Sequence, residues 1–119
     1  MRIVSRVLLS LVVGAVLTAG RPASAADTVS GEIIDLACYM VHPESSHGAA
    51  HKKCADACLK RNTPMGLLTD DNQVYLLLED HDNPKPYGQL KEKAAEKVTV
   101  EGDKVKQGGT QGLVVEAIK

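Results

Sequence analysis

Two histidines and two cysteines share the stretch HGAAHKKCADACLK at residues 47–60: His47, His51, Cys54 and Cys58, at intervals of four, three and four. On a helix, ~100° per residue brings all four within an arc of roughly 60°. Imidazole nitrogen and thiolate sulfur are donors that Zn(II) and Cu(I) prefer. Carboxylates, which dominate calcium and magnesium sites, are sparse in the segment. The ladder climbs about 16 Å along the helix axis, whereas metal–ligand bonds are only ~2.0–2.3 Å long. One ion therefore uses two or three neighbouring rungs, and the remaining donors must come from another element.

The preceding segment, TVSGEIIDLACYMVH at 28–42, supplies them. Its alternation reads as a strand, with Ile34, Leu36, Cys38 and Met40 on one face and Ile33, Asp35 and Tyr39 on the other. Cys38, Met40 and His42 are spaced by two and project to one side. If the helix folds back over the end of this strand, Cys38 joins Cys54 and Cys58, with His51, His42, Met40 or His47 as further donors. The expected ligand is then Cu(I) or Zn(II), held by soft and borderline donors. Among the histidines, His51 has the strongest claim because it lies one turn from Cys54.

Other uses of the cysteines compete with this one. Cys38 and Met40 extend the apolar face of Ile34 and Leu36 and would serve as small hydrophobes in a core. Cys54 and Cys58 make poor disulfide partners on a regular helix, since their Cβ atoms stand roughly 6 Å apart against a preferred ~3.8 Å. A bridge would run from Cys38 to one of them and stabilise the fold by ~3 kcal/mol. It would leave the third thiol unexplained. A thiol-redox role is the remaining option, although the pair is C-x-x-x-C where redox dithiols are usually C-x-x-C. No Ser-His-Asp arrangement, paired-carboxylate pattern or phosphate loop is present, and the helix spacing of His51 and Cys54 does not by itself make a nucleophile, so an enzyme is not expected.

The first 25 residues are set apart from these elements. Arg2 and Arg6 precede the apolar run VLLSLVVGAVLTAG, and Ala23-Ser24-Ala25 supplies a small-x-small cleavage pattern. Residues 1–25 are thus expected to be a cleaved signal peptide, and 26–119 one exported, periplasmic domain with no membrane segment in the mature form. Loss of Arg2, Arg6 and Arg21 from 14 basic residues leaves 11 against 15 acids, a formal charge of −4. That balance disfavours nucleic acid, and with Tyr39, Tyr75 and Tyr87 as the sole aromatics there is little to stack bases on. A metal ion and a periplasmic protein are the partners left open. About 94 residues with neither Phe nor Trp make a lean core, the kind a cross-link or metal often supports.

Ser45 or Ser46 is a candidate N-cap for a helix ending near Arg61, where Asn62-Thr63-Pro64 stops it. Residues 43–64 thus form a helical insert. MGLLT and QVYLLLE flank Asp70-Asp71-Asn72 and read as a hairpin over 65–79. Asn83-Pro84 begins a second helix through Tyr87, Leu90 and Ala94. KVTVEGDKV alternates until Gly102 breaks it, Gln107-Gly108-Gly109-Thr110 forms a turn, and GLVVEAI closes the chain. The fold class is mainly β with two helices (α+β): a five-stranded OB-like barrel with a helical Cys/His insert between its first two strands.

VTVEGDKVKQGGTQGLVVEAI resembles the closing hairpin of small exported bacterial OB-fold proteins, in which a V-x-V-x-G strand, a glycine-rich turn and an apolar last strand recur. The likeness spans 65–119 and bears on fold alone, because such barrels host many unrelated ligands. On that basis an interaction module stapled by one Cys38 disulfide is the alternative to a metal-binding protein.

Overall fold

The computed structural model describes residues 25–119. Apart from Ala25, the expected signal segment lies outside them. Strand β1 covers Asp27–Asp35, with Val29, Gly31 and Ile33 turned inward at every second position. Its first part, Asp27 to Glu32, pairs antiparallel with β4 (Lys97–Gln107), and its last part, Glu32 to Asp35, with β2 (Met65–Leu68). The β1–β2 crossing is close: a Cβ at Gly31 would stand 2.5 Å from the Leu68 carbonyl oxygen, so only glycine fits. β2 turns back into antiparallel β3 (Val74–Glu79), as the Asp-Asp-Asn turn predicts.

β3 runs parallel to β5 (Thr110–Ile118), and β5 runs antiparallel to β4. The strands close in the order β1-β2-β3-β5-β4, which is the expected five-stranded OB-like barrel. Closure leaves the five strands without a free edge. The alternation of β4 breaks at Gly102 as expected, by a bulge at Glu101/Gly102, and the strand itself continues through it. A Cβ at that position would strike the Val114 backbone, so the glycine serves close approach of β4 to β5.

The barrel interior is filled by Ile33, Leu67, Leu77, Val100, Leu113 and Val115. Two helices press into it. Helix α3, assigned here to Lys85–Leu90, follows Pro84 as expected and contributes Leu90, with Ala94 just beyond. Helix α2, Lys52–Lys60, contributes Ala55 and Leu59 one turn apart. Burying Leu59 alone is worth ~1.5–3 kcal/mol, enough to set the rotation of a nine-residue helix. Lys52 reinforces the docking, its Nζ donating to the Ala94 carbonyl at 2.8 Å and pairing with Glu96.

The segment between β1 and β2 holds one more helix than the sequence suggests. β1 ends at Asp35, and Leu36–Val41 forms a short helix, α1. Period-two spacing there imitates a strand, but Asp35 Oδ1 accepts from the backbone N–H groups of Ala37 (3.0 Å) and Cys38 (3.4 Å). That N-cap satisfies donors of the first turn and starts the helix at once. The insert's first helix therefore precedes residue 43, and three α-helices are present among the described residues.

Candidate metal centre

With Ala55 and Leu59 facing the core, Cys54 and Cys58 fall about 100° round the helix from them, toward the start of α1. Two backbone ties bring α1 there. Asp35 pairs with Met65 at the end of β1, and the Leu36 N–H donates to the Pro64 carbonyl at 2.9 Å. The first turn of α1 thus sits beside the last turn of α2. The helix stops as expected, with Asn62 in the left-handed region (φ 62°) and the Arg61 and Thr63 amides both on the Cys58 carbonyl.

The result is a triangle of sulfur. The Sγ atoms of Cys38, Cys54 and Cys58 all lie within 4.8 Å of one another. All three are free thiols, graded from exposed Cys54 through half-buried Cys38 to buried Cys58. Three sulfurs bound to one ion at ~2.3 Å stand up to about 4 Å apart, so a small inward adjustment makes this a coordination set. A disulfide would require ~2.05 Å.

Asp35 and His51 stand behind the triangle. A carboxylate oxygen of Asp35, the Cys38 sulfur and a ring nitrogen of His51 also lie within 4.8 Å of one another. Asp35 is fully buried. Its Oδ2 and the His51 Nε2 are shielded from solvent and lack a hydrogen bond of regular geometry. Burial acts most strongly on the Asp35 carboxyl and pushes its pKa up. The neighbouring Cys38 and Cys58 thiols and the Cys38 and Ala37 amides together outweigh it, and the net shift is downward.

The same contacts act on the thiols in the opposite sense. Cys38 is pushed up from 9.0 to about 12, first by its interaction with the Asp35 carboxylate, then by burial and the carboxylate's charge. Cys58 is also raised, by Asp35 first and burial second, while the Arg61 guanidinium opposes both. Arg61 Nη2 donates to the Cys58 sulfur at 3.3 Å. Without a metal, the contacts favour protons on Cys38 and Cys58 beside an ionised Asp35. A metal ion would have to displace them.

The other expected donors do not assemble. Cys38, Met40 and His42 were placed on one side of a strand, but in α1 successive members of that series differ by about 200°. Met40 is accordingly 71% exposed, and His42 is the exposed C-terminal cap. The helix expected from Ser45 or Ser46 begins later, with a single 3₁₀ turn at Ala49–His51 leading into α2. Ser46 is buried and caps nothing. His47 therefore leaves the ladder. It is exposed, with its ring edge-on to Tyr39 at 6.4 Å. Of the three histidines, His51 is the one grouped with a cysteine, and that cysteine is Cys38.

Two residues escaped the sequence reading. Asp35 had a usable signal, an aspartate directly before an apolar run, which marks an N-cap. Arg61 had none, since its role depends on where the helix end lands. No family model, curated protein or solved structure matches this chain, so the reading of the centre rests on its own geometry.

Proposed function

We propose that this chain is an exported metal-binding protein that takes Cu(I) or Zn(II) through the thiolates of Cys38, Cys54 and Cys58, helped by the His51 imidazole. The observation that supports it is the convergence of three free sulfurs from two helices on one spot. Thiolates gathered this closely repel one another, and a bound cation removes that repulsion. Soft thiolates with one imidazole match copper in its reduced state or zinc better than any oxygen-seeking ion. In the cell such a centre would carry, buffer or be structurally supported by its ion.

A thiol-redox role draws on the same sulfurs, with exposed Cys54 as the group an outside disulfide would meet first. Redox-active cysteines are activated by a lowered pKa. Cys38 and Cys58 are shifted the other way, which counts against the redox role.

The test is anaerobic titration of the reduced protein with Cu(I) and with Zn(II), beside the variant Cys38→Ser/Cys54→Ser/Cys58→Ser. Stoichiometric uptake by the wild type and none by the variant is expected. Equal uptake by both would end the proposal. Thiol counting after air exposure separates the redox role, which predicts rapid loss of two thiols per chain restored by reductant.

A further inference from the structure

Cys38 belongs to two donor sets at once. It completes the sulfur triangle with Cys54 and Cys58, and it completes a second triad with Asp35 and His51. The five donors do not form a single group of the same compactness. We propose that the chain holds two metal ions, the second in the Asp35–Cys38–His51 pocket, with the Cys38 thiolate bridging both. This rests on the tri-thiol reading, adds a site to it and assigns the His51 imidazole to the second ion in place of the first.

Three observations carry the second site. Asp35 uses Oδ1 on the Ala37 and Cys38 amides, leaving Oδ2 fully buried with only the weakly donating Cys38 and Cys58 thiols beside the carboxylate. His51 Nε2 is shielded from solvent and has no hydrogen-bond partner, and a nitrogen of the same ring lies within 4.8 Å of the carboxylate and the Cys38 sulfur. Together with the Cys38 sulfur they form a ready oxygen, nitrogen and sulfur set.

The third observation is charge. Once metallated, the centre contains three thiolates and a carboxylate, and Arg61 is the cation that hydrogen-bonds to it. A single Cu(I) or Zn(II) leaves the set net negative in a partly buried place, where uncompensated charge is unfavourable. A second ion removes the deficit. Mixed carboxylate, imidazole and thiolate donors suit a borderline divalent ion, so the second site is one for Zn(II).

Zinc stoichiometry decides the matter. The reduced chain is loaded anaerobically with excess Zn(II), desalted and analysed for metal by elemental analysis. Wild type is expected to retain two zinc ions per chain, and Asp35→Asn and His51→Gln one each. The asparagine oxygen still caps α1, and circular dichroism of both variants confirms that they fold. No bound zinc in the wild type would overturn the second site, and no Cu(I) uptake besides would sink the tri-thiol reading itself. A single ion in the wild type, or two retained by both variants, would overturn the second site and leave that reading standing.

Discussion

The Asp35 carboxylate does two things, starting a helix and meeting the Cys38 and Cys58 thiols. Its substitution therefore separates two effects. Asp35→Asn keeps an N-capping oxygen but removes the charge that holds the Cys38 proton. The expected outcome is a fall of the Cys38 pKa from about 12 toward its ordinary 9.0. The alkylation rate of the metal-free protein against pH, followed by peptide mass, measures it. A second prediction follows from the same shift. Cys38 keeps its proton in the folded chain at pH values where the unfolded chain has lost it. That contribution to stability is complete below pH 9 and disappears as pH rises toward 12. Urea midpoints of the metal-free protein should fall across that window, and less steeply in Cys38→Ser.

Helix α1 is short, uncovered on one side and dependent on its first turn. Asp35→Ala removes the cap and should destabilise the protein by ~1–2 kcal/mol, read from denaturant unfolding. Metal affinity should drop with it, because α1 carries Cys38. The strands depend on glycine in a different way. Gly31→Ala puts a methyl against the Leu68 backbone and should cost ~2–3 kcal/mol, whereas Gly88→Ala, in open space on α3, should be neutral or mildly stabilising. Equal losses at the two positions would mean that close β1–β2 contact is not what Gly31 provides. α2 needs no such device, since Leu59 and Ala55 hold it to the barrel and leave the cysteine face open.

The barrel has no Phe or Trp, and its interior is built from Ile, Leu and Val with one Met. Most of the 36–64 segment lies outside that core, tied on by Leu59, Ala55 and a few backbone bonds. A metal ion joining α1 to α2 would stabilise the least supported part of the molecule. At an ion concentration near 1,000 times Kd the expected gain is ~4 kcal/mol. Thermal melting of the reduced protein with and without Zn(II) should show a rise in Tm that chelator reverses and the triple serine variant lacks.

Strand alternation, turn residues and the Asn83-Pro84 start made the five-stranded barrel and α3 legible before any coordinates, because those signals are local and mutually consistent. The stop at Asn62-Thr63-Pro64 and the cysteine spacing of α2 were legible for the same reason. The chemistry of the centre was legible as a list of donor types. Which donors meet was not, because that depends on a long-range contact: Leu36 tied to Pro64, and α2 rotated by the burial of Leu59. Residues 36–42 satisfy a strand pattern and a capped helix equally well, and the Asp35 hydrogen bonds at the barrel rim decide between them. Once they do, Met40 and His42 swing away while Cys38 stays, and a buried carboxylate joins the sulfurs where the sequence had shown only cysteine and histidine.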